Sequence, residues 1–296
     1  MAKIQLFDNF RSNFEQFLFL INVPCFYRIL VKIFGGFCFY CNNSGGISKY
    51  KFVYLEYFLY LCSLKLDDMK KAYFFDMDGV LFDSMPNHAI AWDEVMKKHN
   101  LPFTAYDCYL NEGRTGESVI REAMWKAQNR DATPDEIATI YAEKSDYFTQ
   151  LEQKAGGTAT IPGVAQVLEY IHSCGNEIWV VTGSGMRSLL DNLNHVLPPV
   201  FAKERMITAY DVQKGKPDPE PYLKAWERCG LNKEQCVVIE NAPLGVRSGK
   251  AAGLTVYAVN TGILTREDLL QAGADKVFDS MAEVLEELRS ISMNYE

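Results

Sequence analysis

Two aspartates, Asp76 and Asp78, close the apolar run in "AYFFDMDGVLFDS", with only Met77 between them. Burying unpaired carboxylates costs several kcal/mol, so a core has no use for the pair. Either the pair is solvated, or a cation sits between the two side chains. Alternate residues of a strand point the same way, so both carboxylates reach one place if strand geometry persists. Two other apolar runs stop in the same manner. Thr182-Gly183-Ser184 follows "IWVV", and Glu240-Asn241 follows "VVI". Lys216 lies in "GKPDPEPY", a segment that alone reads as an exposed turn, because Pro and Gly favour one.

The elements that position these residues are legible from Lys70 onward. "AYFFDMDGV" reads as a buried strand, and "NEIWVVTGS" and "LTVYAVNTG" as two more. "CVVIENAPLGVRSGKAAG" reads as strand, loop and helix, and "IPGVAQVLEYIHSCG" as a helix ended by Gly175. Between the first strand and the rest, "PNHAIAWDEVMKKHNL" has helical spacing, with Ala89, Trp92, Val95 and Met96 on one face. "GESVIREAMWKAQN" and "TPDEIATIYAEKSDYFTQLE" follow, the latter with Thr133 as N-cap and Pro134 at the first helical position. Strands alternating with helices imply an α/β fold: a Rossmann-like parallel sheet covered on both faces. The all-helical block, residues 86–157, is then an inserted cap, and residues 69–85 with 158–296 the core. Ligands of such sheets sit at the carboxyl ends of the strands, where the three polar strand ends would converge.

The totals bound the function classes. The chain has 296 residues and a net charge of -8, which argues against nucleic acid as a partner, since phosphate backbones need a basic stripe. The eight cysteines show no disulfide framework, and Cys38-x-x-Cys41 lacks a second pair or a neighbouring histidine. Residues 1–68 are atypical: they hold 17 Phe and Tyr of 38 aromatics, one alanine and no threonine. Their best apolar window contains Pro24, Arg28, Lys32 and Gly35-Gly36, unlike a spanning helix, and no signal-peptide cleavage pattern follows it. The stretch reads best as sequence upstream of a native start at Met69. A membrane-associating extension and an unusual soluble segment are the other readings. The expected location is the cytoplasm, with no membrane partner for the catalytic part.

"DMDGVLFDS", "VVTGS", "GKPDPEPY" and "VVIENAPLGVRSGKAAG", in this order, resemble the four signature motifs of the haloacid dehalogenase superfamily. The inserted helices resemble the cap of its beta-phosphoglucomutase-like branch. "DMDGVLFDSMPNHAIAW", "EGRTGESV" and "VVIENAPLGV" are similar to a subgroup of that branch that hydrolyses inorganic pyrophosphate with magnesium. The resemblance implies Asp76 as nucleophile, forming an aspartyl-phosphate, and Asp78 as general acid and base. Lys216 would neutralise charge shared by Asp76 and the phosphoryl group. Thr182, Gly183 and Ser184 would hold phosphoryl oxygens, and His88 would hydrogen-bond Asp78. Mg²⁺ is the implied cofactor, with Asp76, Asp78, Glu240, Asn241 and Glu112 as candidate ligands. Asn241 departs from the commonest pattern, an aspartate there, but still offers a hard carbonyl oxygen.

Glu112, Arg114 and Lys144 are the cap residues expected to reach the substrate. Arg114 and Lys144 suit a phosphate-bearing leaving group, or else form a solvated helical face. Glu112 repels a bare anion but becomes a ligand if a leaving phosphate chelates Mg²⁺. The small phosphorylated substrate is therefore expected to be pyrophosphate. The alternatives are the glucose phosphates of a beta-phosphoglucomutase and the substrates of a broad sugar-phosphate phosphatase, with a non-catalytic binding module the least favoured.

Overall fold

A computed structural model describes residues 70–185 and 193–293. The atypical leader, with Cys38 and Cys41, lies outside the described residues. Lys71–His172 and Asn176–Leu288 form one compact unit. Its sheet has six strands: β1 (Ala72–Phe75), β2 (Glu177–Val181), β3 (Met206–Ile207), β4 (Cys236–Glu240), β5 (Thr255–Val259) and β6 (Lys276–Phe278). All neighbours are parallel, in the order β3-β2-β1-β4-β5-β6. Every residue of β1, β2 and β4 is buried. That explains their continuous apolar runs: a parallel sheet covered on both faces has no solvent side to alternate against.

Five helices, α1 (Met85–Lys98), α2 (Ala105–Leu110), α3 (Gly116–Gln128), α4 (Pro134–Ala155) and α5 (Val164–Ser173), stand between β1 and β2. Four more, α6 (Glu220–Cys229), α7 (Pro243–Ala251), α8 (Arg266–Gln271) and α9 (Met281–Met293), accompany the later strands. The cap helices begin where the sequence carries start signals. Thr133 accepts from the amide of Glu136, whose carboxylate bonds back to Thr133, and Pro134 opens the helix. Thr115 likewise caps α3 through the amide of Ser118. The first four helices bury their own cluster, including Met96, Ile120 and Ile140. Each side chain of that size contributes about 1.5–3 kcal/mol when fully buried. The cap thus has a core of its own and can carry side chains to the sheet edge without borrowing the sheet's packing.

Two chain segments join the helical block to the sheet. Phe82 bridges Thr160, the amide of Asp83 donates to Ala159 O at 2.8 Å, and that of Ile161 to Leu81 O at 3.0 Å. Among the described residues, no helix is long and apolar enough to cross a membrane.

Candidate active site

Three strand ends converge as the parallel arrangement requires. The amide of Asp76 still donates to Ile239 O at 3.0 Å, so β1 and β4 deliver Asp76 and Glu240 side by side. Thr182, just past β2, pairs its amide with Ile207 O at 2.9 Å. Gly79 then turns the chain at φ +72°, and a Cβ there would lie 2.0 Å from Asn241 Nδ2. Only glycine fits both the left-handed conformation and the crowding.

Lys216 is the hub. Its Nζ lies 2.7 Å from Asp76 Oδ1 and 2.7 Å from Glu240 Oε1, and donates to Val181 O at 3.0 Å. The side chain is completely buried, yet two carboxylates outweigh desolvation and raise its pKa. Glu240, expected as a metal ligand, has both oxygens engaged instead. Oε1 also accepts from the Tyr222 hydroxyl at 2.7 Å, and Oε2 from the amides of Asn241 and Ala242 at 3.0 and 3.4 Å. Its place is to hold Lys216. Burial drives the Asp76 carboxyl up to about 7, with Lys216 opposing and Glu240 and Asp78 adding to the rise.

Asp78 is held from the other side. Its Oδ1 accepts from the Ser84 hydroxyl at 2.5 Å and meets His88 Nε2 at 3.1 Å. Burial pushes this carboxyl up, but His88, Ser84 and the Lys144 charge more than offset it, leaving it below the usual range. Lys144 Nζ sits 2.6 Å from His88 Nδ1. An ammonium has only donors, so Nδ1 accepts and Nε2 carries the proton that goes to Asp78. The sequence reading sends Lys144 to the substrate; the structure ties it to His88 on the floor of the cap. Its Nζ lies 5.3 Å from the Trp92 ring centre and 5.1 Å from that of Phe148. The charge that would neutralise a leaving group is spent on fixing a tautomer.

Burial lowers Lys144 to about 8. The unfolded chain then binds more protons than the folded one between about pH 8 and the ordinary value of 10.5, so this group makes stability rise with pH across that window. Below pH 8 the full penalty, about 3 kcal/mol, is present. Lys144→Met should therefore stabilise the protein at pH 7 by about 2 kcal/mol while slowing turnover. Thermal melts at pH 7 and 10 check this: the gain should shrink at pH 10. A loss of stability at pH 7 would overturn it.

Glu112 is the cap residue that does enter the core site. Buried, it accepts from Asn241 Nδ2 at 2.7 Å across 129 positions of sequence. Burial raises its pKa well above the ordinary value, and Asp76, Glu240 and Asp78 add to the rise against the Asn241 hydrogen bond. The loop that carries it rests on Gly183, where a Cβ would stand 2.3 Å from Gly113 O. Arg114 also borders the cavity that Asp76, Asp78 and Glu112 line. Its guanidinium binds within the cap, to Asn111 Oδ1 at 2.8 Å, to Ser118 and to Glu122. On the core side, Thr182 Oγ1 accepts from the amide of Ser184 at 3.0 Å. Asp76, Asp78, His88, Glu112, Lys144 and Thr182 line a common cavity of about 60 Å³. Ser84 and Tyr222 went unnoticed in the sequence reading. Both lie inside quoted motifs, but a Ser or Tyr there carries no mark of its partner.

The donor set fits a hard divalent cation. Asn241 commits its nitrogen to Glu112, and its carbonyl oxygen is buried with no hydrogen-bond partner. Asp76 Oδ1 touches Lys216 at 2.7 Å but off the direction of a hydrogen bond. An orphaned amide oxygen beside buried carboxylates is costly unless a cation completes it. Among the described residues, no three His, Cys, Asp or Glu side chains form a ready metal cluster. The carboxylates of Asp76, Asp78 and Glu112, which line the cavity, and the bare Asn241 amide oxygen are the hard donors the site offers.

Residues 70–253 match the family model "haloacid dehalogenase-like hydrolase". The chain belongs to this family. Similar proteins include Hexitol phosphatase A of Escherichia coli strain K12, 32% identical over 64% of this chain and 83% of its own. The Phosphorylated carbohydrates phosphatase of Thermotoga maritima is 30% identical over 73% of this chain and 100% of its own. A solved structure from Bacteroides vulgatus, provisionally described as a beta-phosphoglucomutase, is 45% identical. It covers 76% of this chain and 89% of its own at a TM-score of 0.71. The α/β family fold with beta-phosphoglucomutase-like neighbours is thus as expected. These relatives do not support the finer resemblance to pyrophosphate-hydrolysing members.

Proposed function

We propose that the protein is a Mg²⁺-dependent phosphohydrolase that works through an aspartyl-phosphate on Asp76. The observation that carries this is Lys216, fully buried, with its ammonium 2.7 Å from both Asp76 and Glu240 beneath the shared cavity. Asp76 attacks phosphorus, and Lys216 balances the charge that accumulates on the transferring group. Asp78 delivers a proton to the leaving oxygen and later takes one from water. His88, fixed by Lys144, keeps Asp78 aimed. Thr182 and the amides that follow it receive phosphoryl oxygens. Asp76, Asn241 and Glu112 would hold the cation, which supplies the positive charge that keeps Asp76 ionised and lets two anions approach.

Small phosphorylated carbohydrates are the first substrate class, because the named relatives act on hexitol phosphates and phosphorylated carbohydrates. Inorganic pyrophosphate is the second reading, favoured by Glu112: a carboxylate brought 2.7 Å from Asn241 faces the leaving group from the cap. A panel decides. Phosphate release is measured from hexitol phosphates, hexose phosphates, nucleotides and pyrophosphate with Mg²⁺, together with glucose 6-phosphate formation from beta-glucose 1-phosphate. No release from any of them would sink the hydrolase reading, and glucose 6-phosphate formation would replace it with a mutase.

Glu112→Gln separates the two substrate classes. It keeps an oxygen for Asn241 and removes only the charge. Pyrophosphate hydrolysis should fall about a hundredfold, the loss of roughly 2–4 kcal/mol from a contact made in the transition state. Ester hydrolysis should stay within a few-fold. Equal losses would reduce Glu112 to support of the cap's shape. A gain on pyrophosphate would mean that the carboxylate repels it.

A further inference from the structure

We infer that Cys229 and Cys236 form a redox-responsive dithiol, a modification site at the amino-terminal end of strand β4, remote from the catalytic residues. Cys229 ends α6 and Cys236 begins β4, and their sulfurs lie 3.8 Å apart. A disulfide spans about 2.05 Å, so the sulfurs need to close by about 1.8 Å, the scale of a side-chain rotation. The backbone sets up the encounter. Gly230 ends α6 in the left-handed conformation, and a 3-10 turn over Lys233–Gln235 brings the chain back into β4. "CGLNKEQC" shows none of this by spacing.

The two thiols divide the work. Cys229 is partly exposed and Cys236 is fully buried, so an oxidant meets Cys229 first. The hydrogen bond between the two sulfurs, against burial, draws the Cys229 thiol down to about 7 and, together with burial, pushes the Cys236 thiol up. Buried Cys108, by contrast, is pushed up to about 12. Thiolate is the attacking species in exchange, so Cys229 is the reactive partner at neutral pH. The co-reactant is a low-molecular-weight disulfide. The Cys229 thiolate attacks one of its sulfurs, its S–S bond breaks, and one small thiolate leaves. Cys236 then loses its proton, and its sulfur attacks Cys229 Sγ and displaces the second small thiolate. Two protein thiols become one disulfide, and the small disulfide becomes two thiols, one carrying the proton from each cysteine.

The linkage has a structural address. The near ends of the same two elements meet at the active site, where Tyr222 of α6 donates to Glu240 of β4 at 2.7 Å. A bond between their far ends, about 13 Å back along β4, clips the pair without touching the chemistry. The oxidised protein should melt about 5 °C higher, with activity within about twofold.

The test exposes the full chain to oxidised glutathione at pH 7.5, traps remaining thiols by alkylation and maps peptides by mass. The expected product joins the Cys229 and Cys236 peptides, two hydrogens lighter than their reduced sum. Dithiothreitol should reverse both the link and the gain in melting temperature, and Cys229→Ser should show neither. Cys236→Ala, a second variant in case the first folds poorly, should accumulate a glutathione adduct on Cys229. Overturning results are a lasting adduct on Cys229 in the unsubstituted chain with Cys236 still alkylated, or both thiols alkylated in full.

Discussion

Asp76→Asn should lower turnover by at least 10⁴-fold while making the metal-free protein more stable at pH 8. The two halves of this result have one cause. Asp76 is 2% exposed, and its carboxyl is raised to about 7 from an ordinary value of 3.8. The folded chain therefore binds more protons than the unfolded chain between those values. Stability falls as pH climbs through that window, and the full penalty stands above it. The amide is nearly isosteric and removes the penalty, but it cannot form the acyl-phosphate, so the covalent route closes. Melts of chelator-treated protein at pH 5 and pH 8 should show a gain that is clearly larger at pH 8. Added Mg²⁺ should raise the melting temperature of the unsubstituted chain much more than that of the variant, because one ligand is gone. A variant that keeps a tenth of the activity would refute nucleophilic catalysis by Asp76. A variant less stable at pH 8 without metal would refute the reading of its environment.

Lys216→Met should unfold more readily by about 3–5 kcal/mol and lose its activity, because it removes the cation of a buried cluster. Asp76 and Glu240 each stand 2.7 Å from the same ammonium. Without it, two buried carboxylates face each other, and Val181 O loses a donor at 3.0 Å. A chain of this size should melt about 10 °C lower. The deficit should narrow at pH 5, where Asp76 takes up a proton and one of the facing charges disappears. Lys216→Met combined with Glu240→Gln should recover much of the stability and none of the turnover. That pair of outcomes separates Lys216 as a counter-ion within the fold from Lys216 as the charge beneath a transferring phosphoryl group. Unchanged melting of the single variant would place the ammonium outside the balance of buried charge.

Much of the architecture was legible because the deciding signals are local. Apolar runs as short as "AYFF" and "CVVIE" name buried parallel strands, since a doubly covered sheet accepts nothing else. Thr133, Pro134 and Glu136 announce a helix by their own hydrogen bonds. The convergence of Asp76, Thr182 and Glu240 follows from three strands that all end in the same direction. Strands β3 and β6, with two and three residues, went unread because runs that short carry no periodicity.

Partners are another matter. Residue type states what a side chain can bond, and only the folded chain states which bond it makes. Lys144 and Arg114 are cations suited to a phosphate, yet one fixes His88 and the other is held by Asn111, Ser118 and Glu122. Glu240 suits a metal by type, but Lys216, Tyr222 and two amides claim its oxygens first. Asn241 and Glu112 meet across 129 residues, and that contact leaves the amide oxygen bare for a cation. Cys229 and Cys236 face each other because a left-handed glycine and one 3-10 turn fold a helix end back onto a strand start. By itself the sequence determined which chemical groups stand at the strand ends and the order of the elements that bring them there. The tertiary structure alone decided how the charges pair, because in a buried site each ion takes the nearest partner that offsets its desolvation, however distant along the chain.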